Sequence, residues 1–219
     1  MLSNLTTIQK SFFGGSFNLM KNTFAISKGE IRGLFSNQLK KISDPKMREK
    51  VVEAWKLGCD QGGWKTVSDL TNMPFTLLTE TKGINFVEHT IAVTEGAYGL
   101  AKAQLDTYKN KQPYPINLDV VVAGGLIHDV GKLVEYGFDE NGNYQQARYG
   151  KILRHPFSGT LIAKEAGFNG DILNCIACHA KEGENRPQLM ETILIHQADF
   201  STFTPMKYLA AKKLIPFKN

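Results

Sequence analysis

Five histidines are the side chains of this sequence best suited to bind a metal ion: His89, His128, His155, His179 and His196. His128 is followed directly by Asp129. The pair comes immediately after an apolar run at residues 120–127, and this run predicts a buried helix. An imidazole and a carboxylate buried at the end of such a helix need partners, because burying polar groups alone is costly. A cation shared between helices would satisfy both groups.

The adjacency of His128 and Asp129 limits how the two side chains can share an ion. Successive residues of a helix point about 100° apart, so both reach one metal only at a helix end, or if Asp129 bridges two ions. Gly131 predicts such an end, since glycine favours helix termination. Asp199, which follows an apolar stretch of a later helix, is a further candidate ligand. Imidazole nitrogens together with carboxylate oxygens suit Zn, Fe, Mn, Co or Ni.

Helices are expected to position these residues, because helix signals recur along the chain and strand signals are few. Residues 27–30 form a capping box, and Asp44-Pro45 combines an N-cap with proline at the first helical position. Thr204-Pro205 is predicted to open the last helix. Between these signals, helices are predicted over residues 84–109, 118–132, 156–167, 171–179 and 187–200. Short loops between consecutive helices indicate an all-α fold.

The domain organisation follows from where the helical pattern becomes regular. We expect residues 84–203 to form a helical bundle that carries all the candidate ligands. Residues 1–83 are expected to be an N-terminal helical extension of unknown role, which covers the site, packs as extra helices or makes a dimer contact. Residues 204–219 are expected to form a C-terminal helix. The sequence leaves a homodimer open.

Composition narrows the classes of function. The formal net charge is only +5 and no long basic block is interleaved with aromatic residues, so a long nucleic acid is not an expected partner. An odd number of cysteines, Cys59, Cys175 and Cys178, argues against a disulfide framework. The apolar flanks of Cys175 and Cys178 favour packed thiols over a zinc site. No signal peptide and no membrane-spanning run is recognisable, so the cytoplasm is the expected location and no membrane is an expected partner.

The order of the candidate ligands resembles a known family. The residues are His89, His128, Asp129, His155, His179 and Asp199, and their order is that of the ligands in the HD superfamily of metal-dependent phosphohydrolases. Residues 128–132 read His-Asp-Val-Gly-Lys, which is similar to the HD-x-G-K variant of members with two metals. The resemblance covers roughly residues 84–203 and implies an HD-domain helical bundle with additional N-terminal helices.

The resemblance implies a role for each ligand. The first metal would be held by His89, His128, Asp129 and Asp199, and the second by His155 and His179, with Asp129 bridging the two. Members with one metal usually lack the middle pair of histidines, so the cofactors implied are two divalent ions of Fe, Mn, Co, Ni or Zn, with Mg also admitted. Residues 181–187 lack the Gly-Tyr-Pro signature of the HD-GYP signalling enzymes, which argues against cyclic-di-GMP as the substrate.

The implied reaction is hydrolysis of a phosphate ester, in a nucleotide or another small phosphorylated molecule. Two metals together polarise a phosphoryl group and lower the pKa of a water between them, which supplies hydroxide near neutral pH. Asp129 and Lys132 would be the catalytic residues, with the Lys132 ammonium binding a phosphate oxygen.

Other polar residues near the motif are candidate contacts to the substrate or the ligands. Arg154, Lys181 and Arg186 flank the second pair of histidines and would bind an anionic substrate, although each is equally well explained as a solvated charge. His196 precedes Asp199 by three residues, so the two share a helix face. His196 matches no ligand of the family, so it is assigned to orienting a ligand or the substrate, with simple packing as the alternative.

Two other functions fit the same ligand set. Some HD-fold proteins with these six ligands hold two irons and oxidise their substrate with O₂, and the ligand types also suit iron. Lys132 within HD-x-G-K favours hydrolysis. A non-catalytic regulatory module is the third alternative, but relatives of that kind have generally lost ligands and this chain keeps all six. Metal analysis separates the third function from the other two, and O₂ consumption separates the first two.

Overall fold

The computed structural model describes residues 25–215, and that part of the chain is mainly helical. Its helices are α1 (Lys28–Leu34), α2 (Ser36–Leu39), α3 (Pro45–Gly62), α4 (Val67–Asn72), α5 (Phe86–Tyr108), α6 (Leu118–Ile127), α7 (Lys132–Glu135), α8 (Arg148–Ile152), α9 (His155–Glu165), α10 (Gly170–Cys178) and α11 (Met190–Ala210). Short 3₁₀ turns occupy Lys109–Lys111 and Lys181–Gly183. The predicted all-α class is confirmed.

Helix α6 is the centre of the bundle. Every residue from Val120 to its end is buried, and the helix packs mainly against α5 and also against α11, α10 and α3. A Cβ at Gly125 would lie 3.0 Å from the Thr94 Cα of α5, so glycine permits this close approach of the two backbones. The tight packing brings the residues that follow α6, His128 and Asp129, into the interior of the bundle.

The described residues before α5 belong to the same hydrophobic core. Helix α3 packs on α6, α7 and α9. The buried indole of Trp55 donates a hydrogen bond to the Leu126 carbonyl at 2.8 Å, and that of Trp64 donates to the Leu133 carbonyl at 2.6 Å. The part of the predicted N-terminal extension that the structure describes therefore packs as additional helices on the bundle. Residues 1–24 lie outside the described residues.

Helix α5 matches its predicted span within two residues at the start and one at the end. Its N-terminus is a capping box in which Asn85 Oδ1 accepts from the Glu88 backbone at 2.9 Å and Glu88 Oε2 accepts from the Asn85 backbone at 3.0 Å. The cap fixes where the helix begins.

The predicted start of a separate helix at Thr204-Pro205 is wrong. Helix α11 runs from Met190 to Ala210, and Pro205 lies inside it. Proline removes one backbone hydrogen bond from a helix interior. Here the loss falls where neighbouring positions are partly exposed, and the buried side chain of Met206 anchors the turn that follows. Residues 216–219 of the predicted C-terminal helix lie outside the described residues.

A short antiparallel hairpin was missed by the sequence analysis. Strands β1 (Tyr136–Phe138) and β2 (Tyr144–Gln146) pair with Tyr136 opposite Gln146. In the connecting turn, Asp139 Oδ1 accepts from the backbone of residues 141 and 143, and Gly142 has a φ of +80°. Asn followed by Gly is a hairpin signal. Strands of three residues are too short to show the alternation that identifies a strand.

Gly131 lies at a close contact between the segment after α6 and the start of α9. A Cβ at this position would lie 2.1 Å from the His155 carbonyl oxygen and 2.6 Å from the Gly159 nitrogen. The φ of Gly131 is −64°, which any residue adopts. The predicted reason for this glycine, helix termination, is therefore wrong, and the close approach of α9 is what requires it.

We expect Gly131→Ala to lower the free energy of unfolding by roughly 1–3 kcal/mol, because the added methyl group pushes α9 and its His155 outward. Gly33→Ala is the matched control, since a Cβ there meets nothing within 4 Å. Alanine at that helical position should raise the free energy of unfolding by about 0.5–1 kcal/mol. Urea unfolding measures both variants, and a Gly131→Ala protein as stable as wild type would contradict the packing argument.

Candidate metal centre

Asp129 lies at the centre of the cluster of predicted ligands. It occupies the turn directly after α6, together with His128, as the sequence predicts. Asp129 Oδ2 lies 3.4 Å from His89 Nε2 and 3.3 Å from His128 Nε2. The other oxygen, Oδ1, lies 3.2 Å from His155 Nε2 and 3.5 Å from His179 Nε2. Each carboxylate oxygen therefore faces its own pair of imidazoles.

Helix α11 adds the remaining carboxylate. Asp199 Oδ1 lies 3.3 Å from His89 Nε2, and Asp199, His89 and His128 form one group whose ligand atoms all lie within 4.8 Å of one another. A second such group contains His128, Asp129 and His179. The structure thus brings all six predicted ligand residues together, and their role as ligands stays a prediction.

Backbone carbonyls orient two of the imidazoles. His128 Nδ1 lies 2.8 Å from the Gly125 oxygen, and His179 Nδ1 lies 2.7 Å from the Ile176 oxygen. A carbonyl only accepts hydrogen bonds, so each ring carries its proton on Nδ1. The Nε2 atom, which faces the cluster, is left as a lone-pair donor suited to a metal ion.

Side chains orient the other two imidazoles. The Thr202 hydroxyl donates its proton to the Asp199 carbonyl at 2.8 Å, and it therefore accepts from His89 Nδ1 at 3.1 Å. Glu135 Oε2 lies 2.8 Å from His155 Nδ1. All four imidazoles consequently direct Nε2 into the cluster. Sequence analysis missed Glu135, whose only signal is an acid three residues after Lys132.

The cluster leaves buried polar atoms without partners. Among the described residues, the unpaired atoms of this cluster are His89 Nε2, His128 Nε2, His179 Nε2 and Asp129 Oδ1. Each unpaired buried group costs about 1–3 kcal/mol. Imidazole nitrogens and carboxylate oxygens are the donors that divalent transition metals bind. These residues therefore fit a metal site, because an ion would satisfy the atoms that the protein itself leaves unpaired.

Lys132 places a positive charge beside the cluster. Its ammonium donates to Asp129 Oδ2 at 2.6 Å and to the Phe75 carbonyl at 2.8 Å. Burial alone would lower the pKa of Lys132, but the Asp129 carboxylate holds this pKa above its usual value. Burial likewise works to raise the pKa of Asp129, yet Lys132 and the nearby imidazoles hold that pKa well below its usual range. Both groups are therefore charged at neutral pH.

A cavity of about 710 Å³ opens over the cluster. Its lining includes the ligand residues Asp129, His155 and Asp199. Aromatic side chains also line it, from Phe75, Tyr136, Tyr144, Phe200 and Phe203. Its cationic side chains are Lys132, Arg154, Lys181 and Lys207. The cavity thus combines flat apolar surfaces with positive charge next to the candidate metal site.

The predicted substrate contacts do not all reach this cavity. Lys132, Arg154 and Lys181 line it, whereas Arg186 lies outside its lining in the loop before α11. Arg154 also pairs with Glu182 at 3.4 Å. The position of Arg186 does not support a direct contact with a ligand in the cavity.

His196 touches the cluster only through the backbone. Its Nδ1 lies 2.6 Å from the His179 carbonyl oxygen, and its ring packs against Phe200 at a centroid distance of 4.3 Å. The side chain therefore supports the segment that carries His179. Its role in orienting a ligand stays a prediction.

The segment before α5 contributes to the site in a way that the sequence analysis left open. The Phe75 ring stacks on the His89 ring at a centroid distance of 4.4 Å, and residues 75–78 line the cavity. The described residues before α5 therefore both pack on the bundle and cover part of the site. No motif in residues 60–83 signals this role.

The cysteines stand apart from the metal cluster. Cys59 and Cys175 are buried, and burial raises the pKa of each thiol to about 12. Neither Cys175 nor Cys178 belongs to a group of ligands among the described residues. Within residues 25–215, every helix is too short or too polar to cross a membrane.

The fold and the site define a helical-bundle protein with a buried histidine–aspartate cluster suited to divalent metal ions. The chain matches the HD domain family over residues 86–201. It belongs to that family, which confirms the resemblance seen in the sequence. The match begins with α5 and ends inside α11, so it contains every predicted metal ligand.

Curated relatives match parts of the chain. An uncharacterized protein of Methanocaldococcus jannaschii is 31% identical over 107 residues, which are 49% of this chain and 52% of the relative. The dihydroneopterin 2',3'-cyclic phosphate phosphodiesterase of the same organism is 25% identical over 168 residues, 72% of this chain and 63% of the relative. Ribonuclease Y of Finegoldia magna is 27% identical over 117 residues, 53% of this chain and 18% of the relative.

The chain thus spans less than two thirds of the length of these relatives. No solved structure matches it.

Proposed function

We propose that this protein is a metal-dependent phosphohydrolase that uses two divalent ions to cleave a phosphate ester. The observation that carries the proposal is the carboxylate of Asp129, whose two oxygens face separate pairs of imidazoles. One ion would be held by His89, His128, Asp199 and Asp129 Oδ2, and the other by His155, His179 and Asp129 Oδ1. Two divalent ions of Fe, Mn, Co, Ni, Zn or Mg would polarise the phosphoryl group and lower the pKa of a water.

The protein's own side chains would bind and orient the ester. Lys132, held at 2.6 Å from Asp129, would contact a phosphoryl oxygen and stabilise the negative charge that develops there. Arg154 and Lys181 lie on the His155 side of the cavity and would contact further anionic oxygens. Phe75, which stacks on His89, would shield that imidazole from water.

The lining of the cavity supports a small substrate with a flat ring, such as a nucleotide. A volume of about 710 Å³ is in the range of small-molecule sites. Aromatic side chains such as Tyr144, Phe200 and Phe203 offer faces and edges for stacking a ring. A relative at 25% identity is named as a phosphodiesterase of a cyclic phosphate that carries a pterin ring. A cyclic or linear phosphate ester of an aromatic heterocycle is therefore the proposed substrate class.

The test is turnover of a defined panel by metal-free protein reloaded anaerobically with Mn²⁺ or Fe²⁺. We expect hydrolysis of 2',3'-cyclic nucleotides or mononucleotides, weak turnover of glycerol phosphates that lack a ring, and weak cleavage of an RNA oligomer. Protein that holds two ions and hydrolyses none of these esters would contradict the proposal. O₂ uptake by the iron-loaded protein, coupled to oxidation of a substrate, would replace it with the oxygenase alternative. Protein that takes up no metal would favour the regulatory module.

A further inference from the structure

Glu135 is a buried acid that the proposed reaction does not use. It ends α7, and its residue is only 6% exposed. Its Oε2 accepts a hydrogen bond from the His155 backbone at 2.6 Å and another from His155 Nδ1 at 2.8 Å. The backbone of Glu135 also contacts the segment after the hairpin, because its carbonyl accepts from the Ala147 nitrogen at 2.9 Å. The Glu135 carboxylate therefore holds His155 through both the backbone nitrogen and the ring nitrogen of that residue.

His155 is distinguished from the other imidazoles of the cluster by this partner. The Nδ1 atoms of His128 and His179 face backbone carbonyls, and that of His89 faces the Thr202 hydroxyl. All three partners are neutral, whereas the partner of His155 is a carboxylate. A carboxylate on the outer nitrogen makes the ring a more basic metal ligand, and partners of this kind typically change metal affinity 10–100-fold.

The two halves of the cluster differ in the number of ligands that they offer. Around Asp129 Oδ2 lie His89 and His128, and Asp199 completes that half. Near Asp129 Oδ1 lie His155 and His179, at 3.2 and 3.5 Å. The half with fewer ligands is thus the one whose histidine has an anionic partner. The more basic His155 imidazole would compensate for the smaller number of metal ligands in this half.

We propose that Glu135 is a positioning residue that sets the affinity of the protein for the ion on the His155 side. This inference rests on the proposed site for two ions. Glu135 acts through the His155 ring, which it orients and makes more basic, and it does not touch the other half of the cluster. Loss of its charge should therefore weaken one ion and spare the other.

The test compares Mn²⁺ binding by wild type, Glu135→Gln and Gln146→Ala. Each metal-free protein is titrated with Mn²⁺, and binding is followed by calorimetry and by EPR of the Mn²⁺ ion. Glutamine keeps the size of the side chain and an oxygen for the His155 ring, but it removes the charge. We expect Glu135→Gln to bind one ion 10–100-fold more weakly and the other within about two-fold of wild type. Gln146, whose amide lies 3.5 Å from Glu135 Oε1 and does not contact His155, is the matched control. Gln146→Ala should bind both ions as wild type does.

Two results of the titration would overturn the role of Glu135. The first is unchanged binding of both ions by Glu135→Gln, and the second is equal weakening of both ions, which is the signature of a general loss of structure. Wild-type protein that binds a single ion would instead overturn the proposed function on which the inference rests.

A second measurement requires no variant. In zinc-loaded wild-type protein with ¹⁵N-labelled histidine, the Nδ1 proton of His155 should resonate further downfield than those of His128 and His179, because hydrogen bonds to a charged acceptor are shorter and stronger. A His155 resonance grouped with the other two would contradict the proposal.

Discussion

Asp129→Asn is expected to remove most of both metal ions and to lower phosphoesterase turnover by at least about 10³-fold, which exceeds the typical effect of losing one transition-state donor. The physical reason is the position of the carboxylate, whose Oδ2 faces His89 and His128 and whose Oδ1 faces His155 and His179. An amide has the same shape but supplies one neutral oxygen, and its NH₂ group cannot bind a cation. Elemental analysis of the purified variant measures the metal content directly.

Single-histidine variants are the controls for this bridging role. His155→Ala and His179→Ala should each deplete one ion and leave the other, because both residues face Asp129 Oδ1. Asp129→Asn protein that retains two ions would disprove the bridge. Wild-type protein with one ion, unaffected by both histidine changes, would reduce the centre to a single metal.

The sequence predicted the cluster in part from apolar helix patterns, which indicated His128, Asp129 and Asp199, and in part from the resemblance to the HD superfamily. His128 and Asp129 follow an apolar helix whose buried length is visible in the residue types, and the structure places both in the turn after α6. Asp199 follows a second apolar stretch, and the two stretches pack together in α6 and α11. The full set of six ligands was implied by the resemblance to the HD superfamily, because burial alone does not show which polar residues meet.

The surroundings of the cluster could not be inferred in the same way. Glu135 and His155 are 20 residues apart, and their contact depends on the close approach of α7 and α9 that Gly131 permits. Phe75 reaches His89 from a region of short elements and loops, where no periodicity indicates a direction. Such contacts are set by tertiary packing, which the local sequence does not encode. The same holds for Pro205, whose helix continues because packing outweighs a local helix-breaking preference.

Two explanations of Lys132 can be compared with its contacts: it binds a phosphoryl oxygen of the substrate, or it only caps the C-terminus of a helix. Lys132 begins α7, a single turn of four residues, so a helix dipole does not decide between these explanations. Its two hydrogen-bond acceptors do not support capping of the α6 C-terminus, because neither is a carbonyl of α6. Its ammonium instead contacts Asp129 and the Phe75 carbonyl. An ammonium has three N–H donors, so one donor remains beyond these two contacts and the side chain lines the cavity.

Lys132→Met is accordingly expected to keep both ions at saturating metal and to lower kcat on the order of 10²–10³-fold, the usual cost of one donor to a developing negative charge. Methionine retains a long apolar stem in place of the buried lysine stem, so packing changes little. In the loaded protein, the ions themselves keep Asp129 ionised and replace the charge that Lys132 provides. Lys207→Ala, at another cationic position of the same cavity, is the matched control and should change kcat less than about ten-fold. Steady-state kinetics on protein of verified metal content distinguish a lysine that binds the substrate from one that only neutralises Asp129. If Lys132 only neutralises Asp129, the metal-loaded Lys132→Met variant will keep near-normal turnover.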